Sequence, residues 1–204
     1  MRTLAIETAT EACSVALFED GALVDARHVE LGRGHAERLV PMIGELPGKG
    51  RADHIRVSLG PGSFTGVRIG LAAARALGLA WGAEVRGFPT LALVAATARQ
   101  KKPGSLGICM NGGHGEWFVQ EFDEGGLPAT ELASLVPAEA VGVIRSPAVA
   151  GNRADAFAEE AGREVESISL LPDARFALLV PEQLLLTDLS PIYGRAPDAK
   201  VPGR

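Results

Sequence analysis

The sequence predicts an α/β fold of two lobes, each a mixed β-sheet flanked by helices. Three observations predict it. Residues 3–30 hold three short runs rich in apolar and β-branched side chains, joined by tight turns, which is the pattern of an antiparallel meander. Residues 35–100 then alternate helical and strand-like patterns, which implies parallel strands joined by helical crossovers. From residue 106 a hairpin pattern again precedes short alternating elements, so the second half reads as a smaller version of the first.

Each element has its own signal. Residues 3–7 form a short apolar strand and residues 13–19 a second; Asp20-Gly21 is a two-residue hairpin turn, and residues 22–30 form the third strand. Gly32-Arg33-Gly34 breaks the extended pattern. Residues 35–46 then place Ala36, Leu39, Val40, Ile43 and Leu46 at helical spacing. Pro41 is expected to kink that helix or limit its first turn. After a loop at 47–51, a strand at 54–59 enters a glycine-rich elbow and a long helix that ends near Trp81. Residues 84–88 are a fifth strand, and Pro89-Thr90 opens a helix running to about residue 100.

Lys101-Lys102-Pro103-Gly104 reads as a linker between a lobe of residues 1–101 and a smaller lobe of residues 102–204. In the latter, residues 106–110 and 116–123 resemble a hairpin around Asn111-Gly112-Gly113-His114-Gly115. Residues 141–144 read as a strand and residues 153–161 as a short helix. Residues 174–186 are helix-like but broken at Pro181, and lead to Pro191-Ile192-Tyr193 in a last segment expected to pack back on the first lobe. Hairpins first and crossovers later is the layout of an RNase-H-like or actin-like half domain.

The elbow Leu59-Gly60-Pro61-Gly62-Ser63-Phe64-Thr65-Gly66 is the most informative segment. A strand, a tight glycine turn and a helix start gather backbone N–H groups at the positive end of a helix dipole, where anions bind. It is not a Walker loop, because no Gly-Lys-Ser/Thr follows. Within the helix, Gly66, Gly70, Ala74 and Gly78 are spaced four apart and form one ridge of small residues. A glycine inside a helix costs about 1 kcal/mol relative to alanine, so three on one ridge imply a very close neighbouring backbone. That neighbour is either the chain's own sheet or a helix of another subunit.

Composition excludes some classes. The 204 residues carry 20 basic and 25 acidic side chains, a net charge of −5, and no basic run longer than Lys101-Lys102. This argues against nucleic-acid binding by the chain alone. Cys13 and Cys109 lie in apolar runs without a CxxC and read as buried free thiols of a reducing compartment. The chain opens directly into a strand, and its most apolar helical stretch, residues 71–83, is short and contains Arg75. The expectation is a soluble cytoplasmic protein without a signal peptide or a membrane span.

Candidate chemistry is sparse. Glu7-Thr8-Ala9-Thr10 ends the first strand, and in actin-like folds a carboxylate and hydroxyls at this bend face nucleotide phosphates. Glu7, Thr8, Gly62 and Ser63 are therefore the phosphate-facing candidates, against the plainer reading of an ordinary turn. His35 opens a helix with Glu37 close by, which suits a capping or partner-contact residue better than a metal ligand. His28, His54 and His114 are scattered, no HxxxH, HxH or CxxC occurs, and Ser63 lacks the context of a nucleophile elbow. No catalytic set and no metal site is expected.

Several segments resemble one family. Residues 1–17 (Met-Arg-Thr-Leu-Ala-Ile-Glu-Thr-Ala-Thr-Glu-Ala-Cys-Ser-Val-Ala-Leu) are similar to its opening, His35-Ala36-Glu37-Arg38-Leu39-Val40-Pro41-Met42-Ile43 to its first helix, and Gly60 to Gly70 to its most diagnostic segment. The family is TsaB, also called YeaZ, the accessory subunit of the bacterial machinery that makes threonylcarbamoyladenosine in tRNA. The resemblance covers residues 1–100 and thins beyond, where Gly115-Glu116 and Pro191-Ile192-Tyr193 are its anchors.

The resemblance implies an actin-like ATPase fold of two lobes and a non-catalytic, non-peptidase scaffold. Its partners would be the catalytic paralogue TsaD, which threonylcarbamoylates N6 of adenosine 37 in tRNAs reading ANN codons, and the ATPase TsaE. A homodimer is an alternative assembly for the chain alone, and tRNA would be met only through the complex. Partner contacts are expected on His35, Leu39 and Ile43 of one helix and on Gly66, Gly70, Ala74 and Gly78 of the next. No cofactor is expected to bind tightly, ATP or ADP being confined to interfaces of the complex. TsaD carries a His-x-x-x-His metal motif after its fifth strand; Thr90 and Val94 stand in those places here, and neither valine nor, as a rule, threonine ligates a metal. Three departures stand out: Glu7 in place of Asp, Asn111-Gly112-Gly113-His114-Gly115-Glu116 in place of Asp-Ala-Arg-x-Gly-Glu, and Gly194 within a usual Tyr-Leu-Arg. The competing reading is a stand-alone actin-like nucleotide-binding phosphotransferase or hydrolase.

Overall fold

The structure, a computed structural model, describes residues 1–195; residues 196–204 of the expected second lobe lie outside the described residues. The first sheet contains β1 (Arg2–Glu7), β2 (Ala12–Glu19), β3 (Ala22–Glu30), β4 (His54–Ser58) and β5 (Glu84–Phe88), in the order β3-β2-β1-β4-β5. β1, β2 and β3 pair antiparallel, and β4 and β5 add parallel to β1. α1 (His35–Gly44) links β3 to β4, α2 (Phe64–Trp81) links β4 to β5, and α3 (Thr90–Ala98) follows β5. Pro41 lies inside α1, which stops three residues later, two short of its expected end.

The second sheet has the same plan. β6 (Leu106–Gly113), β7 (Glu116–Phe122) and β8 (Ala133–Leu135) form an antiparallel meander, and β9 (Ala148–Ala150) and β10 (Glu166–Ile168) add parallel to β6. The order β8-β7-β6-β9-β10 mirrors the first sheet strand for strand. α4 (Pro137–Val143) and α5 (Ala154–Glu160) occupy the places of α1 and α2. This duplicated meander-plus-crossover plan is the actin-like fold that the sequence predicts. The strand expected at 141–144 is instead the end of α4. Pro137 starts that helix at its first turn and Glu139 suits its dipole, which outweighs the β-branched character of Val141 and Val143. The run at 174–186 forms two 3₁₀ turns, Ala174–Leu179 and Glu182–Leu184, separated at Pro181.

Alternation along each strand of the first sheet builds two cores. Leu4, Ile6, Val15, Leu17, Ile55 and Val57 face α1 and α2. Ala5, Ala16 and Phe18 face the other way, against α3 and the 3₁₀ turn at Ala174–Leu179. The second core continues into Leu106, Ile108 and Met110 of β6, so the two sheets share it across α3. No helix of the described residues is long and apolar enough to cross a membrane.

After β10 the chain returns to the first sheet. Asp173 caps the 3₁₀ turn and meets Ser14 and His28 of β2 and β3. Arg56 donates to the Ala177 carbonyl and pairs with Glu182. Gly87 and Leu186 exchange two backbone hydrogen bonds, and Ile192 N–H donates to the Leu59 carbonyl. This returning segment covers the open edge of β5 and ends beside the elbow.

The small-residue ridge of α2 requires a correction. Gly66, Gly70, Ala74 and Gly78 are buried on the chain's own sheet and turn, not presented to a partner. A Cβ at Gly66 would overlap the Thr8 carbonyl, one at Gly70 the Thr8 hydroxyl, and one at Gly78 would come within 2.5 Å of Val85. Leu39 and Ile43 are likewise core residues, and His35 is only 6% exposed. The close neighbours that the glycines signal are β1 with its turn, at Gly66 and Gly70, and β5, at Gly78.

Candidate functional site

The two lobes enclose a cleft of about 1000 Å³. Its floor is built where the duplicated loops converge, as the fold places ligand sites at the carboxyl ends of strands. From the first lobe come the turn after β1 (Ala9, Thr10, Glu11) and the elbow (Pro61, Gly62, Ser63); from the second come the β6–β7 hairpin (Asn111 to His114) and Asn152, which follows β9 as the elbow follows β4. Phe64, Val67, Arg68, Phe118, Ile192, Tyr193 and Arg195 form the walls.

The elbow closes as its residues predict. Ser63 caps α2, its hydroxyl accepting from Gly66 N–H at 3.2 Å, and its own N–H donates to the Ala9 carbonyl at 2.7 Å. Gly62 packs so tightly on Ala9 that a Cβ would collide with the Ala9 carbonyl. Two of the four phosphate-facing candidates, Gly62 and Ser63, therefore line the cleft.

The other two do not. Thr8 is buried and its hydroxyl donates to the Gly66 carbonyl at 2.8 Å, holding α2 onto β1. Glu7 is fully buried on the α3 face of the sheet. Its Oε1 accepts from Ala9 N–H at 2.5 Å, while Oε2 has no hydrogen-bond partner among the described residues. Burial pushes the carboxyl up to about 7, against the opposing pull of the Ala9 N–H and the Ser58 hydroxyl. A carboxylate shut away in this manner cannot face a phosphate or its metal.

His35 has a structural job. Its Nε2–H donates to the Ala12 carbonyl at 3.1 Å and pins the start of α1 to the turn after β1. Thr90 and Val94 are both fully buried, Thr90 sharing a 2.6 Å hydrogen bond with Ser58. Among the described residues no three of His, Cys, Asp and Glu are placed to hold a metal ion. Cys13 and Cys109 are buried free thiols, pushed by desolvation up to about 11 and about 12.

Sequence reasoning missed most of the wall. Phe64 and Tyr193 stack with ring centroids 5.7 Å apart, the Arg68 guanidinium lies 3.5 Å over the Phe64 ring, and Arg68 donates to the Tyr193 hydroxyl at 3.0 Å. His114 sits 3.0 Å from an Arg195 nitrogen, and Glu116 accepts from Ser134 at 2.7 Å. Gly194 is explained by Phe118, whose ring fills the space that a side chain at 194 would need. Sequence reasoning also missed Asn152 on the floor, whose legible signal is Gly151-Asn152 following a strand as Gly62-Ser63 does.

Comparison with known proteins completes the picture. Residues 29–169 match the family model of TsaD, tRNA N6-adenosine threonylcarbamoyltransferase. The chain is 41% identical over 137 residues to the tRNA threonylcarbamoyladenosine biosynthesis protein TsaB of Escherichia coli K12, a stretch covering 62% of this chain and 58% of that protein. It is 43% identical over 99 residues to the Haemophilus influenzae TsaB, covering 45% and 40%. The chain thus aligns with little more than half, or less, of the curated relatives it matches. A YeaZ structure from Pseudomonas aeruginosa superimposes with a TM-score of 0.79 at 26% identity, over 94% of this chain and 99% of that one. A second Pseudomonas aeruginosa structure, described as similar to peptidase YEAZ, gives 0.81 at 26% identity, over 95% and 99%. With its duplicated fold, its elbow and these matches, the chain belongs to the TsaB/YeaZ family, within the larger family that the TsaD model describes.

Proposed function

We propose that this chain is a non-catalytic cytoplasmic subunit in the biosynthesis of threonylcarbamoyladenosine in tRNA, acting by binding and activating TsaD with the help of TsaE. One observation carries the non-catalytic reading. At the start of α3, where TsaD has its metal histidines, Thr90 and Val94 are buried, Thr90 tied to Ser58 and Val94 packed in the core. The names of the relatives supply the pathway, and the sequestered Glu7 and Thr8 speak against phosphoryl chemistry in this lobe.

The partner face is reassigned. With the glycine ridge turned inward, the outward side of the α1–α2 pair presents Ala36, Val40, Ala72, Ala76 and Leu79, with Val40 60% and Leu79 89% exposed. Small and apolar side chains on adjoining helices suit helix-to-helix docking, with TsaD or with a second copy of this chain. Val40→Asp and Leu79→Asp should leave stability within about 0.5 kcal/mol, as exposed substitutions do. Each should weaken TsaD binding by ~10-fold or more, about 1.4 kcal/mol. Calorimetric titration of TsaD into each variant checks this, and undiminished affinity in both would remove the face from consideration.

The function itself is tested by reconstitution. TsaD, TsaE and the threonylcarbamoyl donor should modify tRNA when this chain is present and not when it is omitted, and the chain alone should be inactive. Alone it should also show no gel shift with tRNA at physiological salt, because its net charge of −5 offers no basic stripe. ATP with Mg²⁺ should leave its melting midpoint in place, since a ligand that binds the native state raises it by mass action. An upward shift that grows with ATP would favour the phosphotransferase or hydrolase reading.

A further inference from the structure

The Asn152 side chain lies on the cleft floor and touches both lobes. Its Oδ1 accepts from Asn111 N–H at 2.9 Å, within the second lobe. Its Nδ2 donates to Glu11 Oε1 at 2.9 Å, across the cleft to the first lobe. The two partners dictate the amide's orientation, because a backbone N–H requires the oxygen and a carboxylate requires the nitrogen.

Glu11 is itself fixed. Its backbone carbonyl accepts from both Leu31 N–H and Gly32 N–H, just ahead of α1. The next carbonyl, that of Ala12, holds His35. The first lobe therefore holds the backbone that carries the Glu11 carboxylate, and the second answers with a preoriented amide. A hydrogen bond to a carboxylate is charge-assisted and stronger than a neutral one.

We propose that Asn152 is an interlobe latch: by donating to Glu11 it fixes the width of the cleft between the two lobes. Asn152 is a positioning residue in this role, and the inference does not depend on the function proposed above.

The charge pattern allows a swap experiment. Asn152→Asp keeps the acceptor for Asn111 N–H but replaces the donor with a carboxylate facing Glu11, so the interlobe bond becomes a repulsion. Adding Glu11→Gln supplies a new donor from the other side and restores the bond with its polarity reversed. Spin labels on cysteines introduced at Thr65 and Ala138, both exposed and one in each lobe, report the distance; the native Cys13 and Cys109 are buried and stay unlabelled. Diluting the labelled chain in unlabelled chain removes intermolecular distances.

The wild type should give one narrow distance distribution. Asn152→Asp should shift it to longer distances and broaden it, and the double variant should return it to the wild-type position. A distribution for Asn152→Asp that superimposes on the wild type would overturn the latch. So would a shift that the double variant fails to reverse, since the displacement would then come from something other than this bond. Circular dichroism on each variant verifies that the compared chains are folded.

Discussion

Glu7→Gln should make the stability of this protein far less sensitive to pH. The buried Glu7 carboxyl titrates near 7 in the folded chain, against 4.5 for an ordinary glutamate. Folding therefore favours the protonated form. The stabilising contribution is fully present below pH 4.5 and is lost as pH rises through 7, because the unfolded chain ionises first and is relieved of the buried charge. A difference of one pH unit between folded and unfolded titration corresponds to about 1.4 kcal/mol, so the loss is about 3 kcal/mol, a sizeable part of the ~5–15 kcal/mol that holds a domain together. Glutamine keeps the oxygen that receives the Ala9 N–H and cannot ionise. Denaturant unfolding from pH 4.5 to pH 8 should show the variant gaining on the wild type through that window and then running parallel to it. A difference that stays flat with pH would mean that the folded protein does not suppress ionisation of Glu7.

Gly66→Ala should destabilise the fold by about 1–3 kcal/mol, and Gly70→Leu by at least as much, the usual range for overpacking a filled site. Two effects oppose each other here. Alanine in place of a helical glycine gains about 1 kcal/mol of helix propensity. The new methyl at 66, however, falls on the backbone carbonyl of Thr8, which is held in the turn after β1 and cannot rotate away as a side-chain tip could. At 70 the obstacle is the Thr8 hydroxyl, which already donates to the Gly66 carbonyl. Relief would have to lift α2 off the sheet and break that bond. Melting curves of the purified variants decide the matter. A Gly66→Ala protein as stable as the wild type would show that α2 is free to move outward.

Much of the first lobe was legible because its signals are local. The Asp20-Gly21 turn fixes β2 and β3, and the nearly continuous apolar run in residues 12–19 marks a strand buried on both faces. Ser63 as cap and Gly82 as a left-handed stop delimit α2. The second lobe was harder for a physical reason. β8, β9 and β10 have three residues each, too few for alternation to declare itself, and they exist because β7, β6 and β9 respectively offer them an edge. The site divided along the same line. Gly62 and Ser63 belong to one turn and could be read from it, whereas the contact of Glu11 with Asn152 joins residues 141 apart and leaves no local trace. The spacing of Gly66, Gly70, Ala74 and Gly78 announced a close neighbour but carries no information on whose backbone that is.

The return of residues 173–192 to the first sheet has a consequence for how the protein is made. Ala5, Ala16 and Phe18 are covered partly by Ala174 and Ala177, and the edge of β5 finds its backbone partner in Leu186. During synthesis residues 1–100 emerge with an apolar face uncovered and a strand edge unpaired, and both stay so until residues 174–186 have left the ribosome. Such surfaces invite aggregation, so this half cannot mature on its own in the order of its translation. Because the two sheets share one core, both lobes should be lost together on heating, in one cooperative step.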